Sequence, residues 1–150
     1  MDADLRELYQ DVILDHGKKP RNFKVLDDAN ATAEGHNPLC GDRCVVYARI
    51  DDGTVQDVSF QGKGCAISQA SASLMTQIAK GKTPAEIEHL ADLMVRMVKD
   101  QASDEDRQEL GKLEVLAGVR EFPSRVKCAT LAWHTLVAAL HHENEKVTTE

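Results

Sequence analysis

Three short segments, far apart along the chain, each set a cysteine beside a signal for a turn or a helix start. Asn37-Pro38-Leu39-Cys40-Gly41-Asp42 follows the turn signal of Gly35, Gly62-Lys63-Gly64-Cys65 puts two glycines ahead of its thiol, and Cys128 follows Pro123-Ser124-Arg125-Val126-Lys127. Closing Cys40, Asp42, Cys65 and Cys128 around one metal ion forces the fold to bring three distant loops to a single point. Gly41 lets the backbone turn so that Cys40 and Asp42 reach one centre. Three thiolates and a carboxylate make a four-coordinate set that Zn²⁺ accepts, and soft sulfur disfavours Mg²⁺ and Ca²⁺. Cys65 and Cys128 are expected at or just before helix starts, where unpaired N–H groups favour the thiolate. Lys63, Arg125 and Lys127 add positive charge beside them. The cysteine positions, 40, 44, 65 and 128, match none of the usual zinc-finger spacings, so three unrelated thiols stand as the alternative.

At 150 residues the chain reads as one domain, 1–150, long enough to bury a core without metal or disulfide staples. A metal here therefore points to chemistry before folding. The formal charge of -7 argues against a nucleic-acid backbone or an anionic membrane as the main partner. No run approaches the ~18 apolar residues of a membrane span, and Met1-Asp2-Ala3-Asp4-Leu5 is no signal peptide. The expectation is a cytoplasmic protein, where clustered thiols are more often metal-binding or catalytic than disulfide-bonded.

Residues 4–16 predict an amphipathic helix, with Leu5, Leu8, Tyr9, Val12 and Ile13 on one stripe, stopping near Gly17. Residues 20–30 read as a polar connection and 31–35 as a short edge strand. Cys44 to Ile50 and Thr54 to Phe60 predict two strands joined at Asp51-Asp52-Gly53. Asp42 is expected in the loop before the ladder, and Gly62 and Gly64 are expected to break the second strand. A helix of small residues follows to about Ala79, ended by Gly81. Thr83-Pro84-Ala85-Glu86 is a capping box with proline at the first helical position. Ser103 should cap a short helix reaching Leu113 or Leu116, and a long helix should run from Pro123 to about His142. Residues 143–150 are polar, and fraying is expected there. Helix, antiparallel strands and then several helices make an α+β chain with helices on one sheet face.

The remaining candidates read more plainly. Cys44 shares a strand face with Val46, Ala48 and Ile50, which suits a small core thiol. Cys128 and His134 lie on different sides of one helix, which excludes a cysteine–histidine dyad. His16 at a helix end meets the dipole favourably when protonated. His36 neighbours the first cysteine motif, and Trp133 suits the core. Arg125 offers a fixed charge for thiolate sulfur near Cys128, with a surface salt bridge as the alternative.

The motifs Pro38-Leu39-Cys40-Gly41-Asp42, Gly62-Lys63-Gly64-Cys65-Ala66-Ile67-Ser68 and Arg125-Val126-Lys127-Cys128-Ala129 resemble those of the U-type iron–sulfur scaffold family. The opening, with Leu8-Tyr9, Ile13, His16 and Lys19-Pro20-Arg21-Asn22-Phe23, is similar as well. Lys127 stands where the general scaffold branch has histidine, and the Cys65–Cys128 segment is longer; both features resemble the SufU branch. The resemblance implies a three-stranded antiparallel sheet covered by helices and zinc on Cys40, Asp42, Cys65 and Cys128. It also implies sulfur transfer from a cysteine desulfurase of the SufS kind toward downstream iron–sulfur scaffolds. Cys40 is then the expected sulfur acceptor, freed from the metal when a partner side chain replaces it. Two alternatives are a scaffold building a [2Fe–2S] cluster on the same residues and a structural zinc module that serves binding alone.

Overall fold

The computed structural model describes residues 3–141 and 147–148. Helix α1 (Ala3–Lys18) precedes strands β1 (Ala31–Asn37), β2 (Asp42–Asp51) and β3 (Thr54–Lys63). Helices α2 (Ala66–Ala79), α3 (Pro84–Val98) and α4 (Asp104–Leu110) follow, then a 3₁₀ stretch (Gly111–Glu121), helix α5 (Pro123–Leu140) and a two-residue strand β4 (Val147–Thr148). The architecture is α+β, built on a three-stranded antiparallel sheet with β2 at its centre. Strand β4 adds a short parallel pairing outside β1, at Gly35 and His36, so β1 is not the bare edge expected of it. Of the segment 143–150, expected to fray, only this paired couple lies within the described residues.

Local chemistry explains the sheet. Asp52 at φ 53° and Gly53 at φ 74° both occupy the left-handed region, which a two-residue hairpin between twisted strands requires. Along β2, Cys44, Val46 and Ala48 are buried while Val45, Tyr47 and Arg49 are only partly so, the alternation of a sheet covered on one face. Gly62 does not break its strand. A Cβ there would lie 2.2 Å from the Arg43 carbonyl oxygen, so glycine serves close approach between β2 and β3.

Helices α5 and α2 pack on the sheet, α5 over β1 and β2 and α2 over β3, with α3 against α5 and α1 against α2. Leu131, Trp133 and Leu136 of α5 are fully buried, each worth about 1.5–3 kcal/mol relative to exposure. The small residues of β1 admit this helix: a Cβ on Gly35 would sit 2.1 Å from Thr135 Oγ1. Helix α1 ends at Lys18, next to Gly17 as expected, and a Cβ on Gly17 would meet Ala66 at 3.2–3.3 Å, so its absence lets α1 lie close to α2. Tyr9, Val12 and Ile13 pack against the core as the stripe predicts; the side chains of Leu5 and Leu8 lie outside those described. The capping boxes at Thr83/Glu86 and Ser103/Asp106 are both formed. Helix α4 ends sooner than expected, at Leu110, because Gly111 turns left-handed (φ 56°) and the chain continues as the 3₁₀ stretch. Among the described residues no helix is long and apolar enough to cross a membrane.

Candidate metal centre

The turn 38–41 between β1 and β2 builds half of the site. Asn37 closes β1 and pairs with Asp42, the first residue of β2, so Asp42 belongs to the ladder rather than to the preceding loop. Gly41, at φ 74°, makes the connection short enough for that pairing. The pleat then sends Asn37 and Asp42 to the helix-covered face that also holds Cys44, and both side chains are fully buried. Cys40 stays on the turn and is exposed.

Cys128 arrives from α5. Its position corrects the expectation of a helix start: the helix begins at Pro123, so Cys128 lies beyond the first turn, where the dipole no longer acts strongly. It is buried, and burial first, then its contacts with Asp42 and Cys40, push its thiol above the ordinary range. The helix dipole does little to favour a thiolate at this position. Ligand atoms of Cys40, Asp42 and Cys128 all lie within 4.8 Å of one another.

Cys65 is handled differently. It is the N-cap of α2, and its Sγ accepts from the Ser68 N–H at 3.5 Å. Its own N–H donates to Asp42 Oδ1 at 3.0 Å. Of the four residues named from sequence, three are gathered, and Cys65 is tied to them through its backbone. Gly64 makes room for this contact, since a Cβ there would lie 2.6 Å from Asp42 Oδ1. Arg125, exposed on the first turn of α5, feels all three sulfurs: its interaction with Cys128, then the charges of Cys65, Cys128 and Cys40, raise its pKa above the ordinary value.

Sequence reasoning missed Asn37. Its Nδ2 donates to Asp42 Oδ2 at 3.1 Å and to Cys128 Sγ at 3.5 Å. Its Oδ1 is buried without a partner among the described residues, a state that costs about 1–3 kcal/mol. The signal was available in the pleat: His36, the neighbour named instead, sits on the opposite side of β1 and is only half-buried. Two other readings are settled by burial. Cys44 packs against Thr135 Oγ1 at 3.5 Å, and burial pushes its thiol up to about 11, which suits a core residue. His16 is buried with Nδ1 2.7 Å from Ser73 Oγ, and burial lowers its pKa.

Two sulfurs and a carboxylate oxygen within 4.8 Å, with a third thiol beside them and a cation at the rim, fit a zinc-type ion and not a hard, oxygen-seeking one. The fold and site define a small α+β domain with a thiol-rich candidate metal centre. The chain belongs to the family of the NifU-like N-terminal domain, whose model matches residues 8–129. It is 44% identical over 134 residues to the zinc-dependent sulfurtransferase SufU of Bacillus subtilis (strain 168), covering 89% of this chain and 90% of that protein. It is 42% identical over 136 residues to the iron–sulfur cluster assembly scaffold protein IscU of Streptococcus pyogenes serotype M1, covering 91% and 84%. The crystal structure of FiSufU from Fervidobacterium islandicum AW-1 superposes with a TM-score of 0.82 at 35% identity, over 90% of this chain and 98% of that one.

Proposed function

We propose that this protein is a zinc-dependent sulfur acceptor, taking persulfide sulfur from a cysteine desulfurase and passing it on for iron–sulfur cluster assembly. One observation carries the reading: an exposed thiol, Cys40, stands within 4.8 Å of the buried Asp42 and Cys128. Cys40, Asp42, Cys65 and Cys128 would hold Zn²⁺, which keeps sulfur ligands deprotonated at neutral pH. The similarity to a relative named as a zinc-dependent sulfurtransferase supports the same conclusion.

The chain's own residues divide the work. Cys40 is accessible, so its thiolate attacks the outer sulfur of the donor's persulfide. A new S–S bond forms on Cys40, the donor's S–S bond breaks, and the electron pair leaves on the donor's cysteine sulfur. The exchange balances without an outside oxidant. Cys128 is buried and serves to hold rather than to attack. Arg125 offsets negative charge on sulfur as the persulfide arrives. Leu39 and Phe122, exposed apolar residues adjoining Cys40 and the start of α5, suit contact with a protein donor.

The test is transfer of labelled sulfur from cysteine through a purified desulfurase. Wild-type protein should speed desulfurase turnover and carry the label on Cys40, while Cys40→Ser should carry none. Full labelling of that variant would refute the assignment. A second reading, assembly of a [2Fe–2S] cluster on the same residues, is supported by the similarity to proteins named IscU. Metal analysis of protein purified without added metal separates the two. About one zinc per chain, reduced in Asp42→Ala, supports the acceptor; bound iron with visible colour supports the scaffold.

A further inference from the structure

We propose that Asn37 is a positioning residue for metal capture, holding the Asp42 carboxylate and the Cys128 sulfur in their ligating arrangement before the ion arrives. This rests on reading the site as a metal centre. The amide has two N–H hydrogens, and its nitrogen lies 3.1 Å from Asp42 Oδ2 and 3.5 Å from Cys128 Sγ. Both hydrogens are therefore committed to residues of the site. Asp42 is oriented from two sides, with Oδ1 on the Cys65 N–H at 3.0 Å and Oδ2 on Asn37.

The unpaired oxygen gives the argument its direction. Asn37 is fully buried, and its Oδ1 finds no partner among the described residues. Exchanging the amide's oxygen and nitrogen would set Oδ1 against a carboxylate that only accepts hydrogen bonds. The amide is thus held in an orientation that leaves its own acceptor empty and satisfies the site instead. Removing the amide would strip the buried Asp42 Oδ2 of this donor and free the carboxylate to turn away from its ligating arrangement. Donors behind metal ligands commonly change affinity 10–100-fold when removed, and Asn37 stands behind two ligands at once.

The experiment compares wild type with Asn37→Leu, which keeps size and burial but has no donor. Zinc affinity is read by competition with a chromophoric chelator, and folding stability of the metal-free protein by urea denaturation. The expected result is a zinc dissociation constant raised about 10–100-fold, a smaller rise in Tm on adding zinc, and a metal-free protein that still folds, with stability below wild type because the buried Asp42 Oδ2 loses its Asn37 donor. Zinc affinity within about twofold of wild type in the folded variant would overturn the proposal. If Asn37→Leu does not fold without metal, Asn37→Ala is read the same way; failure of both to fold makes the residue structural and also overturns it. Absence of zinc binding in wild type would sink the metal centre and this inference together. Loss of sulfur transfer in wild type with intact zinc binding would sink only the sulfur-acceptor reading.

Discussion

Cys44 and Cys128 are both buried where α5 meets the sheet, and each has its partners at matching places. In the inner layer, Gly35 pairs with Cys44, and Thr135 of α5 covers them. In the outer layer, Asn37 pairs with Asp42, and Cys128, seven positions before Thr135, covers those two. The inner layer closes on itself through small residues and a hydroxyl. The outer layer sets an amide and a carboxylate beside its thiol and opens toward the exposed Cys40, with Cys65 and Arg125 at its rim. A buried thiol therefore says little about function. The donors and charges that its layer supplies, and the path to solvent, decide whether it binds metal or fills space.

The largest effect should come from removing one thiol of each layer in turn. Cys128→Ala should drop zinc from about one per chain to under a tenth, and Cys44→Ala should leave it near one; plasma mass spectrometry on both variants decides, and equal loss in the two would erase the contrast. Next comes the inner layer's tightness. Gly35→Ala forces a Cβ to within 2.1 Å of Thr135 Oγ1, so denaturant unfolding should show a loss of about 1–3 kcal/mol, with zinc content per folded chain unchanged. A drop in zinc alongside would mean that the two layers are mechanically coupled. Thr135→Val, which keeps the shape and deletes the hydroxyl facing Cys44 and the Leu131 carbonyl, should cost under about 1.5 kcal/mol by the same measurement.

The smallest effect lies outside both layers, at His16. Its folded pKa is lowered by burial, so the unfolded chain takes up the proton first. Its contribution to stability is complete above the ordinary histidine value of about 6.5 and declines as pH falls through the lowered folded value. His16→Gln should flatten the stability profile between pH values near neutrality and mild acid, equally with and without metal. A flattening confined to the metal-loaded protein would tie His16 to the centre after all.

Much of this organisation was legible in the residues because it depends on neighbours a few positions apart. The Asp52-Gly53 turn, the Thr83 and Ser103 caps and Cys65 at the head of α2 follow from backbone preferences that local spacing expresses. The cysteine motifs were equally plain, and they led to the right family. Less visible were features that need two distant segments at once. Gly62 read as a breaker because glycine is flexible, but it lies inside β3, and both it and Gly17 are needed where another backbone comes close. His36 stood out as a titratable neighbour of Cys40, whereas the pairing of Asn37 with Asp42 puts the amide, not the imidazole, on the site face.

What the sequence determined by itself was the α+β order, the turn and cap chemistry, and a set of thiols and a carboxylate suited to a soft metal ion. Tertiary structure decided which of those groups meet. It placed Cys128 past the first turn of α5, where burial rather than the dipole governs its proton. It also extended β2 to include Asp42, and so brought Asn37 into the centre. The physical reason is range: capping and turn formation are settled within a few residues, while burial, strand register and the distance between α5 and the sheet exist only once remote surfaces have packed.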